Sequence, residues 1–338
     1  MRAFVITAPG RAAVQEVPEP QAAPGVVVVE VERAGVCGTD SEFYSGGMAY
    51  LASGDAAYPI RIGHEWSGRV VEVGDGVDEA WLGRRVTGDT MLGCRACHRC
   101  ATGRQHLCAD RYEIGIRHGW PGALAERLPV PATALVPLPD TVDATLGALV
   151  EPGGSALRSV TGAAVSDGAR VLVIGAGTIG LLVALIARAH GAQVHVLGRS
   201  QRSRDFAAGL GLEHVTTVET LDRTTPFDAV VDASNDAGSP ALAARLVEPG
   251  GRVVLVGISD TPSRIDTRDL LLQDVTAVGV LSASGGLQGT VDLYASGRVD
   301  PRPLVAATVG LDEVADVLAD GRPAGAGAGP KVHVDPRL

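Results

Sequence analysis

The chain is poor in aromatic residues and has no long apolar run. Aromatic side chains make up only 4% of its 338 residues, so a core drawn from its 46% hydrophobic residues consists mainly of Val, Leu, Ile and Ala. No stretch of about 18 uninterrupted apolar residues occurs, which predicts that no segment spans a membrane. The N-terminus also lacks the basic and apolar regions of a signal peptide. These absences favour a cytoplasmic protein.

Basic residues are outnumbered by acidic ones. The chain has 29 Lys and Arg against 39 Asp and Glu, which gives a formal net charge of −10. A general electrostatic attraction to nucleic acid or to an anionic membrane is therefore not expected. The length exceeds that of one ordinary core and predicts two domains.

The hydrophobic pattern changes character along the chain. The first third is rich in strand-like runs, such as residues 26–31 and 69–73. Asp140 can cap a helix over residues 145–150. From residue 169 strands alternate with helices, which predicts a parallel sheet covered on both faces. The strands are predicted at 171–174, 193–197, 229–232, 252–256 and 275–280, and the first two helices at 178–190 and 203–208.

A glycine motif lies at the first of these strand–helix junctions. Gly175, Gly177 and Gly180 form a GxGxxG pattern that includes Thr178 and Ile179. The motif follows an apolar strand and opens an apolar helix, which is the context of a dinucleotide site. Gly175 allows the tight turn, Gly177 lets the backbone approach a pyrophosphate, and Gly180 allows close helix–strand packing. A glycine-rich turn without a ligand is the alternative.

The end of the second strand bears on the choice of nicotinamide cofactor. An NAD site usually has an acidic residue there, whereas this chain has Arg199 and Ser200, with Arg204 close behind. A guanidinium can bind a 2′-phosphate through two hydrogen bonds. The pattern therefore predicts NADP(H) over NAD(H). Alternatively, the arginines only form a solvated helix start.

Four of the five cysteines lie within fifteen residues. Cys94, Cys97, Cys100 and Cys108 supply four thiolates at short spacing, which predicts a closed, structural zinc site. Such a lobe can also be a nucleic-acid-binding ribbon, but the acidic balance and the dinucleotide motif argue against that function.

Other metal-ligand types are dispersed along the chain. Cys37, His64, Glu65 and Glu151 offer a thiolate, an imidazole and two carboxylates, and three protein ligands would leave a catalytic position on zinc open. Their spacing alone does not unite them.

Over essentially its whole length the sequence resembles the zinc-containing medium-chain dehydrogenase/reductase family. The matching pieces stand in the family's order: GVCGTD at 35–40, GHE at 63–65, the cysteine lobe at 94–108, EP at 151–152 and GAGTIG at 175–180. Within the family the chain looks closest to the sorbitol, threonine and related polyol or cyclitol dehydrogenases. The segment GHEWSG at residues 63–68 also resembles the corresponding segment of dehydrogenases of aminoglycoside biosynthesis.

The resemblance implies a role for each matched residue. Cys37 and His64 would ligate a catalytic zinc, with Glu65 as a direct or exchanging ligand. Glu151 would be a further ligand, direct or through water. Asp40 would accept a hydrogen bond from His64, which fixes the tautomer of the imidazole.

A proton relay is also implied by the family. Thr39 lies where the family has the hydroxyl that passes the substrate proton outward. Many members have a His three residues later, whereas this chain has Glu42, so that either Glu42 or water continues the relay. The loops that carry Tyr44, Tyr58, Arg117, His118 and Trp120 could line the substrate site.

The resemblance further implies the architecture and the activity. The expected fold is α/β, with a β-rich GroES-like catalytic domain over 1–152 and 288–338 and a Rossmann domain over 153–287. The expected reaction moves a hydride between NADP(H) and the secondary alcohol or ketone carbon of a polyol, sugar or aminocyclitol, in a homodimer or homotetramer. The pairing of residues 275–281 across a two-fold axis would form the dimer.

Three rival functions remain at this stage. A nucleic-acid-binding zinc protein should show salt-dependent binding to DNA or RNA. A zinc-free quinone or enone reductase of the same superfamily would not need Cys37, His64 and Glu65 together. A nonenzymatic NADPH-binding protein would bind the cofactor without turnover.

Overall fold

A computed structural model of the chain describes residues 1–323 and 325–338. Two compact units divide it: Met1–Glu151 with Val291–Ala295 and Leu304–Leu338, and Pro152–Thr290 with Ser296–Pro303. Of the residues expected in the catalytic domain, 152, 288–290 and 296–303 belong to the second unit. No helix in the described residues is both long and apolar enough to cross a bilayer.

The strands, in chain order, are β1 Arg2–Ala8, β2 Arg11–Glu16, β3 Val26–Gly35, β4 Ile60–Arg61, β5 Glu65–Val73, β6 Arg85–Gly88, β7 Met91–Leu92, β8 Tyr112–Glu113, β9 Arg127–Pro131, β10 Leu135–Pro137, β11 Arg170–Ile174, β12 Gln193–Leu197, β13 His214–Thr216, β14 Phe227–Asp232, β15 Val247–Leu255, β16 Thr276–Gly279, β17 Val305–Val309 and β18 Lys331–Val334.

The α-helices are α1 Gly38–Ser45, α2 Ala49–Ser53, α3 His98–Ala101, α4 Ala144–Ala148, α5 Val150–Gly162, α6 Thr178–Ala189, α7 Gln201–Gly209, α8 Ser239–Leu246, α9 Thr267–Leu271, α10 Leu287–Ala295 and α11 Val314–Asp320. Short 3₁₀ turns lie at Glu79–Trp81, Gln105–Leu107, Ala132–Ala134, Arg302–Leu304 and Leu311–Glu313.

The first unit is built round a mostly antiparallel sheet. Its strands follow the order β10-β6-β5-β3-β18-β17, and β9 pairs with β3. The central strand β3 is an almost continuous run of buried valines, because it is covered on both faces. Trp66, Phe4 and Phe43 are the largest fully buried side chains of the core of this unit.

The second unit is a six-stranded parallel sheet in the order β13-β12-β11-β14-β15-β16. Successive strands are added on one side of β11 up to β13 and on its other side from β14 onward, so the turn after β11 lies where such sheets bind their ligands. Residues 180–187 of α6 are buried, since this helix packs on the sheet through most of its surface. The parallel sheet confirms the predicted α/β class and the Rossmann part of the fold.

One predicted cap is wrong. Asp143, rather than Asp140, caps the helix that precedes Glu151: its Oδ1 accepts the N–H of Leu146 at 2.8 Å, and α4 begins at Ala144. Asp140 lies three residues too early to reach the free N–H groups of that first turn. The helix also ends at Ala148, before α5 starts at Val150.

Candidate metal centres and dinucleotide loop

The turn at the start of α1 presents Cys37. Asp40 lies completely buried within that turn, and its Oδ2 accepts the backbone N–H of Cys37 at 2.9 Å while its Oδ1 accepts that of Gly63 at 3.2 Å. One carboxylate therefore holds together the two loops that carry Cys37 and His64. Burial raises the pKa of Asp40, and the neighbouring His64 opposes that shift.

The expected hydrogen bond between His64 and Asp40 is absent. His64 Nδ1 and Asp40 Oδ1 are 3.8 Å apart, which is too long for a hydrogen bond, and the buried Nδ1 has no partner in the described residues. The reason is that the backbone amides of Cys37 and Gly63 already hold the carboxylate. Asp40 acts on His64 through its charge instead. Burial alone would lower the pKa of His64, but Cys37, Asp40 and Glu151 keep it well above its ordinary value.

Cys37, His64 and Glu65 form one cluster. Their ligand atoms all lie within 4.8 Å of one another, although Cys37 and His64 are far apart in sequence. Antiparallel pairing of β3 and β5 places Gly35 opposite Glu65, and a Cβ on Gly35 would lie 2.0 Å from Glu65 Oε2. Position 35 therefore requires a glycine, because the Glu65 carboxylate lies directly against β3 there. The donor set of thiolate, imidazole and carboxylate fits zinc.

Glu151 lies near this cluster but is not one of its three closest members. It occupies the first turn of α5 and is 9% exposed. Burial raises the pKa of Glu151 to about 7, and Glu65 and Asp89 add to the rise, while His64 and Lys331 oppose it. The structure thus brings Cys37, His64 and Glu65 into one cluster and places Glu151 where its charge acts on His64.

Lys331 is a neighbour of this cluster that the sequence analysis missed. Its Nζ donates to both carboxylate oxygens of Glu65, at 2.8 and 2.7 Å, and to the carbonyl oxygen of Val36 at 3.0 Å. A signal was available: Lys331 is the only lysine of the chain, and all the other basic residues that carry a permanent charge are arginines.

The outer residues of α1 face away from its buried side. Thr39 and Glu42 are both half-buried and lie three residues apart, so they share one face of the helix, whereas Asp40 and Phe43 are buried. The Thr39 hydroxyl makes no hydrogen bond with a described residue. It is therefore available to a substrate.

Several polar groups of the candidate substrate loops are bound within the protein. Arg117 pairs with Asp55 at 2.7 Å, and Tyr58 Oη donates to the carbonyl oxygen of Phe43. The Trp120 indole N–H donates to Pro129 at 3.0 Å. These contacts fix the loops, and Tyr58 and Trp120 also pack against the core.

The four-cysteine lobe forms a second cluster of ligand atoms. The Sγ atoms of Cys94, Cys97, Cys100 and Cys108 all lie within 4.8 Å of one another, and none forms a disulfide. Backbone N–H groups of Ala96 and Cys97 lower the pKa of the Cys94 thiol to about 7. Four converging thiols fit a tetrahedral zinc.

The glycine motif forms the expected turn between β11 and α6. Gly175 has a φ of +106°, a left-handed conformation that favours glycine, and Gly177 is the N-cap of α6. A Cβ on Gly180 would lie 1.9 Å from the carbonyl oxygen of Gly175, whereas one on Gly177 would meet nothing within 4 Å. Gly180 is thus required for packing. Gly177 leaves its side of the turn open, next to Thr178 and Ile179 in the first turn of the helix.

The arginines after β12 differ in their contacts. Arg204 donates to the carbonyl oxygens of Gly198 and Arg199, at 2.9 and 3.1 Å, so its guanidinium is engaged in holding the turn. Ser200 caps α7 through its side chain. Arg199 is exposed, and its guanidinium has no polar partner in the described residues. Of the two arginines Arg199 and Arg204, only Arg199 is free to meet a ligand.

Two family models match the chain. The alcohol dehydrogenase GroES-like domain matches residues 23–140, and the zinc-binding dehydrogenase model matches residues 178–296. A curated relative, the 2-dehydro-3-deoxy-L-galactonate 5-dehydrogenase of Pseudoalteromonas atlantica, is 32% identical over 90% of this chain and 91% of its own length.

Solved structures are similar over nearly the whole chain. A zinc-binding dehydrogenase of Sinorhizobium meliloti 1021 bound to NADP has a TM-score of 0.89 and 30% identity, with 99% of each chain covered. An alcohol dehydrogenase of Escherichia coli CFT073 in complex with NADH has a TM-score of 0.90 and 25% identity, again with 99% of each chain covered. Similar chains therefore include one bound to each nicotinamide cofactor.

Proposed function

The chain belongs to the zinc-binding alcohol dehydrogenase family, and from this premise we propose that it transfers a hydride between NADP(H) and the secondary alcohol or ketone carbon of a polyol, sugar or aminocyclitol. The observation that carries the proposal is the buried cluster of Cys37, His64 and Glu65. The relative from Pseudoalteromonas atlantica, whose name describes a dehydrogenase of a sugar acid, supports the substrate class.

Each candidate metal centre has a different task. Cys37, His64 and a carboxylate, Glu65 or Glu151, would hold a catalytic zinc, which when bound supplies a Lewis acid that polarises the substrate oxygen. Cys94, Cys97, Cys100 and Cys108 would hold a structural zinc. Such thiols need a reducing compartment, which supports a cytoplasmic location.

Residues of α1 transfer the substrate hydroxyl proton. The hydroxyl of Thr39 accepts the substrate hydroxyl proton during oxidation while it releases its own proton outward, and reduction reverses both transfers. Either Glu42, one turn further along the same face, or water takes up the proton that Thr39 releases and passes it to solvent. Asp40 binds no substrate and acts by holding the Cys37 and His64 loops together.

The cofactor binds to the second unit. The open turn at Gly177 and the N–H groups of Thr178, Ile179 and Gly180 receive the pyrophosphate. The free guanidinium of Arg199, with Ser200 beside it, binds the 2′-phosphate and favours NADP(H). Physiological use of NADPH would favour ketone reduction.

The edge of the parallel sheet supports a homodimer. β16 is an outer strand, and the neighbouring Leu271 and Leu272 are 77% and 78% exposed. Pairing of two β16 strands would satisfy their free backbone groups and cover these leucines. Light scattering tests this arrangement: a monomeric mass would contradict it, and a tetramer would require a further interface.

The test of the reaction follows nicotinamide absorbance with zinc-loaded protein. NADPH and NADH are offered in parallel with ketones of sugars and aminocyclitols, and zinc is counted per chain. We expect faster oxidation of NADPH, and loss of turnover together with one zinc in Cys37→Ser. A Thr39→Val variant should keep both zinc ions but lose turnover.

Three outcomes would contradict parts of the proposal. Turnover that survives Cys37→Ser would indicate a zinc-free reductase. Equal or better use of NADH would remove the role given to Arg199. Tight NADPH binding without turnover on any ketone would favour a nonenzymatic cofactor-binding protein.

A further inference from the structure

A cavity lined by three arginines lies in the first unit, outside the metal cluster. It has a volume of about 490 Å³, and Arg69, Arg84 and Arg85 line it. Small-molecule sites commonly have volumes of about 300–1,000 Å³. Arg69 lies four residues after Glu65 on β5, which corresponds to about 13 Å along the strand. The cavity is therefore distinct from the zinc site.

Two of these arginines lie opposite each other on neighbouring strands. Arg69 on β5 and Arg85 on β6 are register partners, and like charges in such positions repel. Glu32 relieves part of the repulsion: its Oε1 accepts from Arg69 Nε at 3.0 Å and its Oε2 from Arg85 Nε at 2.7 Å. Burial would raise the pKa of Glu32, but the two guanidinium groups lower it, so one negative charge faces two positive ones.

Donors remain free after these contacts. Arg85 binds Glu32 through Nε, and its two terminal nitrogens have no acceptor in the described residues. Arg69 uses one terminal nitrogen for the carbonyl oxygen of Gly83 and has the other free. Arg84 has no hydrogen-bond acceptor in the described residues, and its guanidinium carbon lies 5.9 Å from the centre of the Trp81 ring.

The remaining wall is mixed in character. Leu82, Pro137 and Leu138 supply apolar surface, and Leu82 is 57% exposed. Asp140 adds one carboxylate. Three arginines against Glu32 and Asp140 give 3 − 2 = +1, a local positive charge in a chain of net charge −10.

We propose that this arginine cavity binds the phosphate group of a small ligand. The planar guanidinium groups offer several donors to the oxygens of one phosphate, which arginine binds with paired hydrogen bonds. The apolar wall at Leu82, Pro137 and Leu138 contacts whatever the phosphate carries. Free phosphate and the phosphate monoester of a metabolite share this chemistry.

Calorimetric titration of the zinc-loaded enzyme with inorganic phosphate, and separately with glucose 6-phosphate, tests the proposal. Ionic strength is held constant with chloride, and Trp81 fluorescence is followed in parallel because Arg84 lies over its ring. We expect saturable binding that weakens at least about tenfold in Arg84→Ala, the ordinary consequence of losing a charge-assisted contact. The probe that binds more tightly identifies the source of the phosphate.

Matched variants separate this site from others. Arg264→Ala removes an exposed arginine that does not line the cavity and should leave binding unchanged. Arg199→Ala removes the proposed 2′-phosphate contact and should also leave it unchanged. Arg84→Ala removes an exposed side chain and should keep the fold and the dehydrogenase activity. If Arg85→Ala fails to fold because Glu32 loses a partner, Arg84→Ala still decides the result.

The overturning results are clear. Absence of saturable binding, equal binding by the wild type and Arg84→Ala, or reproduction of the signal by chloride alone would each refute the site. Loss of binding in Arg199→Ala but not in Arg84→Ala would assign it to the cofactor site instead.

Discussion

The only lysine of the chain, Lys331, forms a buried ion pair with Glu65. Its ammonium has three N–H donors, and three acceptors meet them: Glu65 Oε1, Glu65 Oε2 and the carbonyl oxygen of Val36. Both side chains are almost completely buried, at 4% and 2% exposure. Burial alone would lower the pKa of Lys331, but Glu65 and Cys37 raise it, so the lysine remains charged.

Removal of this ammonium should destabilise the protein. In the zinc-free protein Lys331→Met leaves the Glu65 carboxylate buried without a counter-charge, which costs about 3 kcal/mol in the free energy of unfolding. Lys331→Arg should also be costly, because a planar five-donor group replaces a compact three-donor one. Urea denaturation measures both, and the double variant Lys331→Met with Glu65→Gln should lose less than the sum of the single ones. Additive losses would contradict the coupling.

Two glycines of the cofactor loop should respond differently to alanine. Gly180→Ala forces a Cβ against the carbonyl oxygen of Gly175 and should lower both the unfolding temperature and the cofactor affinity. Gly177→Ala meets no protein atom within 4 Å, so stability should change little, while NADPH affinity should fall about tenfold if the pyrophosphate approaches there. Thermal unfolding and NADPH titration separate the two effects. Unchanged affinity in Gly177→Ala would place the phosphates elsewhere.

The contacts of Arg199 and Arg204 predict different effects on cofactor use. Arg199→Ala removes a free guanidinium and should raise KM for NADPH by about 10- to 100-fold, with KM for NADH almost unchanged. Arg204→Ala removes donors to Gly198 and Arg199, so it should impair both cofactors and reduce stability. Parallel kinetics with NADPH and NADH provide the comparison. A selective NADPH defect in Arg204→Ala alone would reverse the assignment.

His333 should make the protein sensitive to mild acid. It is completely buried, neither ring nitrogen has a partner in the described residues, and burial together with Lys331 and Arg33 lowers its pKa to about 3. Below the ordinary pKa of about 6.5 the unfolded chain binds a proton at His333 that the folded chain does not, so the contribution of His333 to stability falls by about 1.4 kcal/mol per pH unit until about pH 3.

The test of this pH dependence compares three proteins. In His333→Leu the loss of stability between pH 6.5 and 4 should be shallower than in the wild type, as measured by urea denaturation at each pH. The matched control His98→Leu removes an exposed histidine and should keep the wild-type slope. Equal slopes for all three would show that His333 binds its proton while folded.

The predicted strands and helices followed from local patterns. The apolar run of β11, the GxGxxG turn and the amphipathic segments after it are local features of the sequence, and β12 begins and ends at the predicted residues. β13 and α8 were missed. β13 has only three residues, and α8 begins with Ser239 and Pro240, so neither offers a long periodic signal.

Sequence alone also determined the ligand types and the glycine spacing. A cysteine cluster or a strand–turn–helix motif consists of residues that are close together in the sequence, so it can be recognised without knowledge of the fold. Only the tertiary structure decided which distant groups meet. The pairing of β3 with β5 and β18 brought Glu65 and Lys331 together, and backbone N–H groups took the carboxylate of Asp40 away from His64. Which donor pairs with which acceptor depends on competition between groups from different strands. The spacing of residues along the chain does not predict the result of that competition.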